Sequence, residues 1–173
     1  MNFEEANRYA SERGSFDALP ALLDLFCEVP EGVWLKILGQ HWSRFDNVAE
    51  HLDTLQDFIA ATVGIGPAMQ MMNATERAAF ESLPDTLTIY RGCYAFSKYG
   101  ASWSLDRDVA ERFPFLLRYR QDGRPLLIKA TIGKQYVTAL KLDRGEDEIV
   151  ILGQRPKVLS ISTARAASRE GEQ

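Results

Sequence analysis

The stretch Gly145-Glu146-Asp147-Glu148-Ile149-Val150-Ile151-Leu152 decides how this chain is read. Two carboxylates, Glu146 and Glu148, open a run of β-branched and aliphatic residues. The run reads as a buried strand. In a strand, residues two apart point to the same face, roughly 7 Å from each other. An apolar strand that begins in this way aims two acids into one place. Two further pieces stand upstream, each at a strand of its own. Tyr90-Arg91-Gly92 closes the run Leu87-Thr88-Ile89-Tyr90, and Ser102-Trp103-Ser104 fills a short strand over Ala101–Ser104.

Outward from these motifs the hydrophobic period divides the chain. Residues 1–84 read as a helical region. Ser15 is placed to cap a helix bearing Leu19, Leu22, Leu23 and Phe26, with Pro20 in its early turns. Pro30 opens another, with Val33, Trp34, Ile37 and Leu38 apolar. Asn47 is placed to cap the clearest helix, in which Val48, Leu52, Leu55, Ile59 and Val63 recur at three and four. Gly64-Ile65-Gly66-Pro67 stops it. Short helices follow over Ala68–Met72 and from Thr75, as cap, to Leu83. Trp34, Trp42, Phe45, Met69, Met71 and Met72 read as core rather than as a ligand surface. From residue 85 to 163 the period is that of strands, with Asp106 capping a short helix over Arg107–Phe113. Strands are expected over Leu126–Ile132, Tyr136–Leu140, Glu148–Leu152 and Val158–Ser162. Residues 164–173 form a polar tail. Helices first and strands later imply α+β rather than a doubly wound parallel sheet.

Bulk composition narrows the function classes. The 173 residues suffice for one sizeable core, and 46% hydrophobic with 25% charged content is that of a globular protein. The net charge of −4 argues against a nucleic-acid partner. Two separate cysteines, Cys27 and Cys93, offer no disulfide framework and fit a reducing compartment. With only His41 and His51 beside them, no metal site is expected. The first residues lack the pattern of a signal peptide, and no run has the length of a membrane span. The expectation is a soluble cytoplasmic protein with no membrane partner, acting in its own cell or delivered into a host cell.

The ordered triple of Tyr90-Arg91-Gly92, Ser102-Trp103-Ser104 and Glu146-Asp147-Glu148 resembles the mono-ADP-ribosyltransferases of the arginine–serine–glutamate group. The resemblance covers roughly residues 86–163 and leaves the helical region outside it. It implies a split β-sandwich of two small antiparallel sheets, with NAD as co-substrate in the cleft between them and the N-terminal helices packed on that core. By resemblance, Glu148 is the catalytic acid that holds the ribose 2′-hydroxyl and stabilises an oxocarbenium-like transition state. Glu146 faces the acceptor, and a Glu there is typical of members that modify arginine. Arg91 grips NAD through its phosphate or ribose side. Gly92 lets the backbone approach the nicotinamide amide. Ser102 holds Glu148 and the nicotinamide ribose. Ser104 and Trp103 complete the cofactor-binding segment, and Phe113 matches the aromatic near the nicotinamide ring, with Phe115 as a competitor. Arg118, Arg120 and Arg124 border the phosphates, and Asp143-Arg144-Gly145 forms the acceptor-recognising loop. Trp103 departs from the family pattern, in which a Thr is common; alternation turns it to the opposite face from Ser102 and Ser104.

The activity implied is transfer of ADP-ribose to a protein side chain, arginine foremost, with release of nicotinamide. A toxin, a secreted effector or a phage-encoded modifier of host proteins would use it on an unidentified target protein. Two rivals stand beside it: an NAD glycohydrolase that uses the same Arg91, Ser102 and Glu148 with water as acceptor, and a non-catalytic module on the same fold that binds a partner protein through its helical half. Each piece alone also has a plainer reading. Arg91-Gly92 suits a strand end with a turn, Ser102 and Ser104 suit helix-capping hydroxyls, and Glu146 and Glu148 suit a solvated strand start.

Overall fold

The computed structural model describes residues 1–62, 66–117 and 119–166. Among the described residues six α-helices precede the first strand: α1 (Phe3–Ser11), α2 (Ala18–Asp24), α3 (Glu31–His41), α4 (Leu52–Ala61), α5 (Pro67–Met71) and α6 (Ala74–Ser82). The strands are β1 (Thr86–Cys93), β2 (Ser102–Ser104), β3 (Leu126–Gly133), β4 (Ala139–Lys141), β5 (Glu148–Val150) and β6 (Lys157–Thr163), with α7 (Arg107–Arg112) between β2 and β3. The fold is α+β.

Local chemistry accounts for the boundaries. Asn2 and Glu5 form a reciprocal capping box at α1, each side chain 3.0 Å from the other's main-chain N–H. Asn73 and Glu76 do the same at α6, so the cap stands two residues before the expected Thr75. Asp106 caps α7 as expected, accepting from the N–H groups of Asp108 and Val109. Of the two other expected caps, Ser15 lies before the α2 cap position and Asn47 holds the cap position of a 3-10 turn, and neither makes a side-chain capping hydrogen bond. Ser15 donates to the Asp46 carboxylate, and the Asn47 amide donates to the Phe16 carbonyl at 2.8 Å. With Asp46 N–H donating to the Ser15 carbonyl at 3.2 Å, they clamp two loops together. Residues 48–51 consequently form a 3-10 turn before α4. Val63, Gly64 and Ile65, expected at the end of that helix, lie outside the described residues, as does the tail from residue 167.

The strands form one antiparallel sheet in the order β4-β5-β2-β1-β3-β6, rather than two separate sheets. Its two halves are unequally joined. Eight registered pairs hold β1 to β3, whereas β1 meets β2 only at Tyr90↔Ser104. Strand β2 makes three registered pairs with β5 on its other side, so the ladder thins only at the β1–β2 junction. The halves β4-β5-β2 and β1-β3-β6 therefore diverge from a single point.

One hydrophobic core runs through the helices and the sheet. Trp34, Leu35, Ile37 and Leu38 of α3 belong to the same buried cluster as Ile89, Trp103, Leu140 and Ile149. Helix α3 packs on α5, and α5 and α6 pack on β4. A buried ion pair adds to that contact, with Lys141 Nζ 2.9 Å from Glu76 Oε2. Met71 and Met72 are core as expected, but Met69 is exposed. Among the described residues no helix is long and apolar enough to cross a membrane.

Candidate functional site

A cleft of about 500 Å³ opens where the two halves of the sheet diverge. Arg91, Gly92, Ser102, Ser104, Phe113, Glu146 and Glu148 all border it. The register explains the convergence. Tyr90 stands opposite Ser104, and Ser104 stands opposite Glu148. Ser102, two residues before Ser104, shares its face.

Glu148 lies at the centre. Its Oε1 accepts a 2.9 Å hydrogen bond from the indole Nε1–H of Trp42, and the Ser102 hydroxyl is a second partner. Burial pushes its carboxyl above the ordinary range. The Ser102 and Trp42 hydrogen bonds pull the other way, and the charges of Glu146 and Asp143 push up again. Glu146 is half-buried and follows a 3-10 turn over Asp143–Gly145. Gly145 has φ +68, a left-handed conformation that disfavours a side chain, and its turn delivers Glu146 into the cleft.

Arg91 has a different task from the one its type suggests. Its Nε and Nη2 donate to the Ser97 carbonyl at 3.1 and 3.0 Å, and its Nη1 donates to the Ser102 carbonyl at 2.5 Å. Three of the five guanidinium N–H donors are thus spent on main-chain carbonyls, two on the β1–β2 loop at Ser97 and one on the first residue of β2. Burial lowers its pKa, while nearby Cys93 and Glu148 oppose the fall. Gly100 completes the nest, for a Cβ there would lie 2.1 Å from Arg91 Nη2.

Gly92 is also used by the fold. A Cβ at this position would stand 1.8 Å from the Ala110 carbonyl oxygen and 2.7 Å from Pro114 Cδ. Its bare backbone admits α7 and the turn that follows. That turn presents Phe113, stacked on Tyr119 with ring centroids 4.3 Å apart, to the cleft. Phe115 packs instead beside Ala110 and Leu127.

Other expected residues take structural posts. Ser104 Oγ accepts from the Asp106 N–H at 3.0 Å and so helps to start α7. Trp103 borders the cleft, but its side chain is buried at 3% exposure and its Nε1 donates to the Gly100 carbonyl. Arg124 turns to Thr163 Oγ1 and is absent from the cleft lining. Arg120 is exposed and also absent from it, and Arg118 lies outside the described residues. Cys93 is buried, which raises its thiol pKa; Arg91 and Lys98 oppose that rise. A protonated thiol of this kind is a poor nucleophile.

The helical region supplies what the sequence did not reveal. Trp42, read as core, is indeed buried, yet its one polar atom is committed to Glu148. The clamp between residues 15–16 and 46–47 sets Phe16, 60% exposed, at the rim. A tryptophan after an amphipathic helix carries no local mark of such a role, so periodicity alone had no means of finding it.

The lining is acidic. Asp46, Asp143, Glu146 and Glu148 border the cleft, against Arg91 as the one described basic side chain there. Among the described residues no group of three His, Cys, Asp or Glu could hold a metal ion. The arrangement can bind a cationic group beside a pair of carboxylates, stack a planar ring near Phe113, and stabilise positive charge next to Glu148. Comparison with family models, curated proteins and solved structures finds no significant match to this chain.

Proposed function

We propose that this chain is an NAD-dependent mono-ADP-ribosyltransferase that modifies an arginine of a protein target. The observation that carries the reading is the meeting of Arg91, Ser102, Glu146 and Glu148 at one cleft, with Glu148 anchored by two donors. The diverging halves of the sheet would correspond to the two small sheets of that family's split sandwich. The cleft volume falls within the range of small-molecule sites, about 300–1,000 Å³.

NAD supplies a leaving group that departs with the bonding electron pair as neutral nicotinamide. Glu148 holds the ribose hydroxyl and faces the positive charge that develops on the sugar. Phe113 offers a ring face to the nicotinamide. Glu146 orients the acceptor guanidinium and takes its proton as the new carbon–nitrogen bond forms. Arg91 keeps the β1–β2 loop, and with it Ser102, at a fixed distance from Glu148. The acidic lining favours a cationic acceptor over water, which supports transfer over NAD hydrolysis.

Intact-mass analysis of candidate target proteins after incubation with NAD tests the reading. Wild type should add one ADP-ribose, and Glu148→Ala should add none. Glu146→Gln should reduce transfer far more than nicotinamide release. Nicotinamide release without modified protein would indicate the glycohydrolase. Folded protein that neither consumes NAD nor gains thermal stability at millimolar NAD would defeat both enzyme readings.

A further inference from the structure

We infer that Trp42 is a positioning residue for the reacting carboxylate, so that the N-terminal helical region completes the site rather than merely flanking it. The inference rests on the reading of Glu148 as the group that faces the sugar.

Several observations converge on Trp42. Its Nε1–H donates to Glu148 Oε1 at 2.9 Å across a sequence separation of 106 residues. The side chain is 3% exposed, so water does not compete for the N–H. Its ring packs edge-on against Phe45 at 6.4 Å between centroids. The preceding residue is fixed as well. His41 is buried, its Nε2 lies 2.8 Å from Asn7 Oδ1 and its Nδ1 lies 2.9 Å from Arg44 Nη1. Because Arg44 can only donate, Nδ1 accepts and Nε2 carries the proton toward Asn7. The indole thus projects from a platform locked on both sides.

An indole is a donor that cannot accept and cannot ionise. Beside a carboxylate it holds the charged form in one rotamer and adds no charge of its own. Oε1 is held by the indole, and the Ser102 hydroxyl is the carboxylate's second donor. The charged groups around the carboxylate are Glu146 and Asp143 from its own segment and Arg91 from β1, with Asp46 on the helical wall of the cleft. Lys141 is in register with Glu148 on β4, but its ammonium is bonded to Glu76. No cation of the helical region is therefore needed to hold the carboxylate; the neutral indole does so.

The test is Trp42→Phe, together with a protein carrying benzothienylalanine at position 42, which keeps the bicyclic shape and lacks the N–H. Carbon-13 NMR follows the Glu148 carboxyl through its titration in the free protein. Its midpoint should rise in both variants. In NAD turnover, kcat should fall about tenfold, the loss of one hydrogen bond to a charged group. KM for NAD should change less than twofold, and the acid limb of the rate profile should move to higher pH. An unmoved Glu148 midpoint in either folded variant overturns the inference, as does a fall in activity with an unchanged pH profile. If no variant or wild type consumes NAD, the enzyme reading fails, while the titration still decides whether Trp42 holds Glu148.

Discussion

The guanidinium of Arg91 donates to the main-chain carbonyl of Ser102 at 2.5 Å, and so ties β1 to the very residue whose hydroxyl meets Glu148. The same side chain reaches the Ser97 carbonyl twice. A planar fork can span both carbonyls at once, and an ammonium cannot. Arg91→Lys should therefore cost about 2–3 kcal/mol in stability, from charge-assisted hydrogen bonds lost in a half-buried nest. Urea unfolding would read the loss. Limited proteolysis should at the same time show faster cleavage within residues 95–101.

Glu148 is ionised at a cost to the fold. Its folded-state pKa is raised, chiefly by burial. The native state then binds more protons than the unfolded chain in the window between the unfolded value, about 4.3, and the raised one. Stability from this group is full below that window and is lost as pH rises through it. Glu148→Gln removes the cost, so the variant should melt at a higher temperature than wild type near pH 7. The gap should close on acidification below the window. Turnover of NAD by the variant should fall by about 10²-fold or more, because an amide cannot offer the same charge to the sugar. Calorimetry across pH provides the check.

Gly92 has no room for a methyl group, because the Ala110 carbonyl would lie 1.8 Å from it. Gly92→Ala should push α7 off β1 and cost about 3 kcal/mol or more, at the upper end for overpacking. Phe113 follows α7 and should shift with it. Thermal unfolding gives the first effect. The second should appear as loss of NAD-induced stabilisation beyond what the fall in melting temperature alone explains.

The Lys141–Glu76 pair is buried at 2.9 Å and joins α6 to the edge strand β4. Glu76 also accepts from the N–H groups of Asn73 and Leu142. Lys141→Met leaves the carboxylate without its charge partner and should cost about 3–5 kcal/mol. Adding Glu76→Gln removes the stranded charge, and its amide oxygen still accepts from one of the two N–H groups. The double variant should therefore be more stable than Lys141→Met alone, as a double-mutant cycle would read.

Much of this protein is written locally, and local physics is what the sequence alone determined. Alternation and β-branching placed the strands around Ile89, Ile128 and Ile149, and the α+β class followed from their order after the helices. Asp106 was legible as a cap because its partners are two and three residues away. Ser15 and Asn47 misled for the opposite reason. Their side chains bond residues about thirty positions away, and a cap signal takes no account of such partners. Only the tertiary structure decided that Arg91 spends its fork on carbonyls, that Gly92 exists to admit α7, and that Trp42 crosses from the helical region to Glu148. Each of these is a contact between segments remote in sequence. Nothing within a helical or strand period encodes such a meeting; it arises when the shared core brings α3 against the sheet.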